Sequence, residues 1–203
     1  MLILIRHGES TGNAAGLLVG RADLPLTEHG RWQAAALGAP FPSAKVGKLV
    51  TSPLTRARDT AALLALGPEV PTSIDPRWIE VDYGEYDAKP LGAVSEDVWS
   101  RWRADPSFRP PGGETLAEVG ARVREACEEL FATSGAGARG EGDVVVVSHV
   151  SPIKAAVCWA LGVGDQWAWR LQLATASVTR IDWGMDGPRL LGFNDTLWRH
   201  PSP

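Results

Sequence analysis

Short apolar runs separated by longer stretches of mixed polarity organise this chain. Residues 1–5 read MLILI and residues 144–147 read VVVV, and runs of that length are typical of buried strands. A third run at residues 48–51 predicts another strand, and residues 177–183 and 190–193 predict two more. The apolar pattern therefore predicts strands spread over the whole length of the sequence.

Helical patterns fill much of the sequence between these runs. The clearest follows Thr115 and Glu118, which form a capping box ahead of apolar residues that recur every three or four positions. Another helix is predicted at residues 96–104. It lies inside segment 68–113, which is otherwise irregular and rich in proline, glycine and tryptophan. A segment of that length with little regular structure usually has a function.

Three further helices are predicted after loops or strands. Thr27 can cap a helix that runs to about residue 37, with Trp32 on its inner side. Ser52 and Pro53 predict a helix start, the serine as cap and the proline at the first helical position. A second serine-proline pair at residues 151–152 opens the last helix. Strands that alternate with helices predict a three-layer α/β/α sandwich with a mostly parallel central sheet.

Composition narrows the classes of partner. The chain fits one domain, residues 1–203, and its net charge of −4 argues against nucleic-acid binding through bulk electrostatics. No apolar run approaches the ~20 residues of a membrane span. Cys127 and Cys158 lie in predicted helices and have neither metal-ligand spacing nor a disulfide framework. These features predict a cytoplasmic protein with no membrane or nucleic-acid partner.

The candidate chemistry lies where predicted strands end. Two of the four histidines, His7 and His149, follow the first strand and the valine strand. Arg6 precedes the first of them, and Arg56 lies in the first turn of the helix after the second strand. Because the carboxyl ends of parallel strands meet at one edge of the sheet, where α/β proteins bind ligands, we expect these side chains to come together.

Two guanidinium groups, two imidazoles and the start of a helix form a pocket suited to a dianion such as phosphate. A neutral imidazole whose other nitrogen is held in one tautomer can attack phosphorus, and His7 on a rigid strand end is the candidate nucleophile. The sequence contains no Gly-x-Ser-x-Gly elbow, no Cys-x5-Arg loop, no Walker-type loop and no paired-carboxylate metal site. Neither a metal nor a cofactor is predicted.

Over nearly its whole length, the chain resembles the histidine phosphatase superfamily, which includes cofactor-dependent phosphoglycerate mutases and many broad phosphomonoesterases. Five motifs carry the resemblance: RHGESTGN at residues 6–13, LTEHG at 26–30, SPLTRARDTA at 52–61, PPGGET at 110–115 and VSH at 147–149. The fourth motif is typical of the phosphatase branch. The resemblance implies a phosphoglycerate mutase-like fold.

The resemblance also implies roles for individual residues. His7 would become phosphorylated. Arg6, Arg56 and His149 would hold the phosphoryl oxygens, and Asn13 would assist them.

The same resemblance makes Glu80 the group that protonates the leaving alcohol and later activates water. Asp82, two residues away, is its competitor. Arg21 could line the cleft and bind substrate. Arg101 and Arg103 either reach over the pocket or cover the helix beside Trp99 and Trp102, and the second interpretation is favoured.

The chain departs from the family pattern at two places. Val150, Ser151 and Pro152 replace the glycines that usually follow the second histidine, although the amides of Val150 and Ser151 could still face a phosphate. Residues 86–88 read YDA where many members have WEG, which affects the shape of the substrate mouth.

The leading hypothesis is a metal-independent phosphomonoesterase, a histidine acid phosphatase-like hydrolase that works on a small-molecule phosphate ester through a phosphohistidine. A bisphosphoglycerate-dependent phosphoglycerate mutase is one alternative, and a non-catalytic phospholigand-binding module is another. Monomer and homodimer both stay open.

Overall fold

Six strands form the main sheet of the structure, a computed structural model that describes residues 1–38, 46–133, 142–184 and 186–196. A separate pair of two-residue strands lies beside it. The strands are β1 Leu2–Arg6, β2 Leu17–Leu18, β3 Val46–Thr51, β4 Thr72–Ile74, β5 Lys89–Pro90, β6 Asp143–Ser148, β7 Val178–Gly184 and β8 Gly187–Asp195.

The main sheet has the strand order β4-β3-β6-β1-β7-β8. The first four strands are parallel, β7 runs antiparallel to β1, and β8 runs antiparallel to β7. The sheet is therefore mixed but mostly parallel, as predicted. In the β1–β6 ladder Arg6 lies opposite Ser148, so the residues that follow, His7 and His149, emerge at the same edge.

Helices cover both faces of this sheet, which confirms the three-layer prediction. They are α1 Thr11–Ala14, α2 Glu28–Gly38, α3 Thr55–Leu63, α4 Glu96–Ala104, α5 Leu116–Thr133 and α6 Val150–Ala160. Leu2 and Leu4 of β1 pack in an apolar cluster with residues of α5 and α6. Ile3 and Ile5 point to the opposite cluster, which contains residues of α2 and α3. This alternation is the period of two that a strand buried on both faces requires.

Several local predictions are confirmed. Helix α4 has the predicted bounds, and the capping box of α5 is present. The Thr115 hydroxyl accepts from the Glu118 N–H at 3.1 Å, and the Glu118 carboxylate accepts from the Thr115 N–H at 2.9 Å. Cys127 and Cys158 are buried and free. Among the described helices none combines the length and apolarity that crossing a membrane requires.

The predicted start of α3 is wrong. The helix begins at Thr55 with Leu54 in the capping position and no side-chain cap from Ser52. The carboxylate of Asp23 accepts from the Thr55 N–H at 2.7 Å, so a loop residue satisfies the first turn in place of the serine. The Ser52 hydroxyl accepts from the Leu54 N–H at 3.4 Å, ahead of the helix, and lies 2.7 Å from Nε2 of His149.

The inner face of α2 also differs from the prediction. Trp32 is 54% exposed, whereas the buried positions include Gln33, Ala34 and Leu37. Gln33 lies inside because its side-chain oxygen accepts from the Glu9 N–H at 2.8 Å. The inner face of α2 therefore contains Gln33, hydrogen-bonded to Glu9, in place of the predicted Trp32.

Candidate active site

His7 is buried at the end of β1 with its ring fixed by the backbone. Its side chain is 3% exposed, and its own N–H donates to the Ser148 carbonyl at 3.0 Å. Nδ1 lies 2.6 Å from the Gly8 carbonyl oxygen, and because a carbonyl only accepts, this nitrogen carries the proton. The tautomer leaves a lone pair on Nε2, which is the arrangement that a nucleophilic imidazole needs.

His149 follows β6 and lies beside His7, with ring centroids 5.1 Å apart. Its Nε2 is 2.7 Å from the Ser52 hydroxyl oxygen. Its Nδ1 is buried without a hydrogen-bond partner in the described part of the chain. Ser52 therefore occupies one ring nitrogen and leaves the other for a ligand.

Burial keeps both imidazoles neutral. Desolvation lowers the pKa of His7 well below its usual range, and the positive charges of Arg6 and Arg56 lower it further. The pKa of His149 is also lowered well below its usual range, first by burial and then by its charged neighbours. At neutral pH the edge of the sheet therefore presents two uncharged rings beside two guanidinium groups.

Arg56 is anchored from one side by a loop. Its guanidinium donates to the Ala22 carbonyl at 2.8 Å and to the Gly20 carbonyl at 2.7 Å. Asp87 holds that loop in place, because its carboxylate accepts from the N–H groups of the same two residues at 2.7 Å each. The Asp87 of the YDA sequence thus positions Arg56 through the loop, a role that the sequence analysis missed.

Arg6 has a similar arrangement. One of its amino groups donates to the Leu173 carbonyl at 2.6 Å. Burial lowers its pKa to about 10, so the guanidinium stays charged at neutral pH. Its Nε is buried without a partner in the described structure, as is the Nε of Arg56.

Three buried N–H donors or ring nitrogens on separate elements are thus left unsatisfied around His7: Arg6 Nε, Arg56 Nε and His149 Nδ1. A buried polar group without a partner costs on the order of 1–3 kcal/mol, and native structures keep few of them. An anion with several oxygens would satisfy such a set.

Glu80 is 3% exposed and is held by backbone amides. One carboxylate oxygen accepts from the N–H groups of Val81 at 2.9 Å and Ser151 at 3.0 Å, and the other accepts from Val150 at 3.0 Å. The expectation that the Val150 and Ser151 amides face a phosphate is therefore wrong for this structure, because Glu80 caps α6 with them. Its negative charge raises the pKa of Arg6 and of Arg56 against the effect of burial.

The backbone of Glu80 is supported by a second acidic residue that the sequence analysis missed. Glu114 of the PPGGET motif pairs with Arg122 at 2.8 Å. Arg122 in turn donates to the carbonyl of Arg77 and, at 3.5 Å, to that of Glu80. The motif therefore ties the segment that carries Glu80 to α5.

The competitor Asp82 has other partners. Its carboxylate accepts from the Gly84 N–H at 2.8 Å and lies 3.5 Å from Arg21. Arg21 also lies 3.4 Å from Glu114, and its side chain is 42% exposed. Arg21 is thus at the surface beside the segment that carries Glu80, and its substrate contact stays a prediction.

Asn13 and the two arginines of α4 complete the candidate set. Asn13 completes the capping box of α1, in which Ser10 is the N-cap: its side-chain oxygen accepts from the Ser10 N–H at 3.0 Å and from the Ser10 hydroxyl at 2.9 Å. Arg101 pairs with Asp97 at 2.8 Å and Arg103 pairs with Glu96, all exposed. Both arginines therefore pair with acidic residues of their own helix, as the favoured interpretation predicts.

The two neutral histidines predict how stability depends on pH. Their pKa values are lower in the folded chain than the usual ~6.5 of the unfolded chain, so below that pH the unfolded state binds protons that the folded state does not. Stability should therefore fall as the pH drops below about 6.5, by at most about 2 kcal/mol per histidine at pH 5. Urea unfolding at pH 7 and pH 5, without phosphate, measures this.

The control for that measurement is His149→Gln, which removes one titrating ring. The variant should lose less stability than the unmodified protein between the two pH values, whatever its absolute stability. An unchanged loss would show that His149 does not contribute to it.

Comparison with known proteins places these features in a family. The model of the histidine phosphatase superfamily (branch 1) matches residues 2–196. A bifunctional protein of Mycobacterium tuberculosis is 33% identical over 190 residues, which cover 92% of this chain. The chain spans about half of that relative, 51% of its length. A candidate phosphoglycerate mutase of Cronobacter sakazakii is 32% identical over 187 residues, covering 89% of this chain and 83% of the relative.

A solved structure agrees with the sequence relatives. A mycobacterial glucosyl-3-phosphoglycerate phosphatase in complex with VO3 matches with a TM-score of 0.86 and 29% identity, over 96% of this chain and 98% of that chain. The predicted phosphoglycerate mutase-like fold is confirmed, and the prediction of a phosphoric monoester hydrolase is supported. The chain belongs to branch 1 of the histidine phosphatase superfamily.

Proposed function

We propose that the protein is a metal-independent phosphomonoesterase that hydrolyses small phosphate esters through a phosphohistidine on His7. One observation carries the proposal. A neutral imidazole with its Nε2 lone pair free lies among buried arginine and histidine nitrogens that have no partner in the described structure. A phosphate monoester supplies a phosphorus atom that the His7 imidazole can attack. It also supplies oxygens that can accept hydrogen bonds from the arginine and histidine nitrogens.

In the first step Nε2 of His7 attacks phosphorus, and the bond from phosphorus to the ester oxygen breaks. The ring gains positive charge as the N–P bond forms, and the Gly8 carbonyl, which accepts from Nδ1–H, stabilises that charge. Arg6, Arg56 and His149 hold the phosphoryl oxygens. The charge of the two guanidinium groups opposes the negative charge of the transferring group.

Glu80 completes both halves of the reaction. Glu80 enters the first step in its protonated form and donates that proton to the leaving alkoxide oxygen, which leaves a carboxylate. It then takes a proton from the water that attacks phosphorus as the N–P bond breaks. Its contacts with the Val150 and Ser151 amides hold the carboxyl group at the start of α6, close enough for its charge to act on Arg6 and Arg56.

Arg56→Lys tests the phosphate site. A lysine ammonium cannot donate to the Gly20 and Ala22 carbonyls and to phosphate oxygens in the planar geometry that arginine provides. We expect kcat/KM on 4-nitrophenyl phosphate to fall by about 10²-fold, a loss of about 2.7 kcal/mol in transition-state binding. The control is Arg58→Lys, an exposed position of the same helix, which should stay within about twofold. Near-normal kcat/KM in the Arg56 variant would place Arg56 outside the site.

The mutase alternative requires a different arrangement of charged residues in segment 68–113. A mutase must shield the phosphohistidine from water and bind a second phosphate, which calls for free arginines near the cleft. Each of the four arginines in residues 68–113 has an acidic partner in the structure: Arg77, Arg101, Arg103 and Arg109. This pairing favours water as the acceptor.

We therefore expect steady release of inorganic phosphate from simple monoesters without added bisphosphoglycerate. Conversion of 3-phosphoglycerate to 2-phosphoglycerate should be negligible beside it. Both rates can be measured in one reaction, by phosphate release and by coupling the isomer to enolase. Fast isomerisation that bisphosphoglycerate stimulates, with little free phosphate, would identify the mutase.

A further inference from the structure

A small pocket lies beside the candidate active site. Its volume is about 60 Å³, enough for about four or five water-sized groups. It is mostly apolar, and its lining includes Tyr83, Trp102, Val150, Ser151, Lys154 and Trp169. Trp102 and Trp169 belong to an aromatic cluster with Tyr83 and Trp99.

The pocket shares a wall with Glu80. Val150 and Ser151 line it, and their N–H groups are the ones that donate to the Glu80 carboxylate. Tyr83 lines the pocket as well, and burial raises the pKa of its hydroxyl group. Because Glu80 is the group that meets the leaving oxygen, the rest of the leaving alcohol would extend towards this pocket.

Among the described residues that line the pocket, Lys154 is the one with a charged side chain. It is half-buried, and within the described residues no carboxylate lies within 4 Å of its ammonium group. Burial lowers its pKa, Glu80 raises it and Arg6 lowers it, so Lys154 lies within electrostatic reach of both residues of the site. A partly desolvated ammonium without a counter-charge is costly, and a ligand carboxylate would offset that cost.

Trp102 provides a second unpaired group. Its indole Nε1 is buried and has no hydrogen-bond partner in the described part of the structure. Buried N–H groups without partners are rare in native structures. Because Trp102 is fully buried, its ring supplies apolar wall, and Lys154 is the lining residue with a charged donor to offer.

We propose that this pocket binds the leaving-group side of the substrate, and that the group it takes is a short carbon chain ending in a carboxylate, bound by Lys154. The proposal rests on the proposed function and adds the substrate class to it. The aromatic walls suit methylene groups, and the volume limits the chain to a few atoms. A single ammonium is a point charge without the planar fork that binds a phosphate through two parallel bonds, and it suits one carboxylate.

The test compares two substrates of nearly equal size, 3-(phosphonooxy)propanoate and its uncharged primary amide. The unmodified enzyme should hydrolyse the acid with a kcat/KM at least about tenfold above that of the amide. Lys154→Met keeps the length and apolar body of the side chain and removes the charge. It should lower kcat/KM for the acid by about tenfold and leave the amide within about twofold.

Lys48→Met is the matched control, because it removes the same charge near the amino-terminal end of β3, the end opposite the site. It should leave both rates within about twofold. Lys154→Gln serves if the methionine variant does not fold, and the acid-to-amide ratio of the unmodified enzyme tests the proposal without any variant. Raising the ionic strength should lower that ratio.

The outcomes separate this proposal from the proposed function. Equal losses on acid and amide in Lys154→Met would give Lys154 a structural role and overturn the subsite. A second result would also overturn the subsite: the enzyme hydrolyses 4-nitrophenyl phosphate through His7 but shows no preference for 3-(phosphonooxy)propanoate over its amide. The proposed phosphatase activity would then still stand. If no phosphomonoester is hydrolysed, the proposed function itself fails.

Discussion

Replacing His7 with alanine should lower turnover of phosphomonoesters by at least about 10³-fold, because the covalent step then has no nucleophile. The neighbouring ring cannot take over. Nε2 of His149 hydrogen-bonds Ser52, and its buried Nδ1 is the nitrogen that we propose binds a phosphate oxygen. The rate is measured as phosphate release from 4-nitrophenyl phosphate. Retention of a tenth of the activity would contradict the assignment.

Trapping of the intermediate gives an independent readout. Rapid quenching with labelled substrate should yield a phosphoprotein that is labile in acid and stable in alkali, as a phosphoramidate is, and His7→Ala should yield none. The control is His29→Ala, an exposed histidine on α2, which should keep activity and label within about twofold. An acid-stable adduct would point to a serine. Absence of any adduct and of any turnover in the unmodified protein would favour the binding-module alternative.

The meeting of the two histidines could be predicted from sequence because strand geometry alone fixes it. Each follows a short apolar run of the kind typical of a buried strand, and parallel neighbours present their carboxyl ends at one edge. The β1–β6 ladder, in which Arg6 lies opposite Ser148, gives this prediction its register. The same rule predicts that Arg56 lies at this edge, since it is in the first turn of α3, the helix that follows β3.

The partners of these groups could not be predicted, because they lie far apart in the chain. Ser52 and His149 are separated by 97 positions, and Glu80 and Val150 by 70. A serine before a proline has the local pattern of a helix cap, and two amides at a helix start have the local pattern of an anion site. In the structure the Ser52 hydroxyl hydrogen-bonds His149, and the Val150 and Ser151 amides donate to Glu80. Both are long-range hydrogen bonds that the local patterns do not predict.

Asp87 illustrates a different limit. Its position in the YDA sequence was noticed as a departure that could alter the substrate mouth. The folded chain uses it to bind the N–H groups of Gly20 and Ala22, whose carbonyls hold Arg56. Asp87 acts on Arg56 only indirectly, through the loop that contains Gly20 and Ala22, and such an indirect contact produces no periodic pattern in the sequence.

Replacing Glu80 with glutamine should slow phosphoryl transfer from alkyl phosphates by about 10²–10⁴-fold, the usual contribution of a general acid. The change also has a structural effect, because the new amino group would face an N–H that the carboxylate now accepts from, at Val81, Val150 or Ser151. Loss of activity alone therefore cannot assign the acid role. The leaving group separates the two effects.

An aryl phosphate with a good leaving group needs little protonation as its bond breaks, whereas an alkyl phosphate needs almost a full proton. If Glu80 is the acid, the glutamine variant should lose at least about tenfold less activity on 4-nitrophenyl phosphate than on propyl phosphate. A weakened helix cap would instead lower both rates by the same factor. Asp82→Asn is the matched control, because Asp82 bonds Gly84 and Arg21, and it should show no dependence on the leaving group. A larger alkyl-specific loss in the Asp82 variant would move the acid role to that residue.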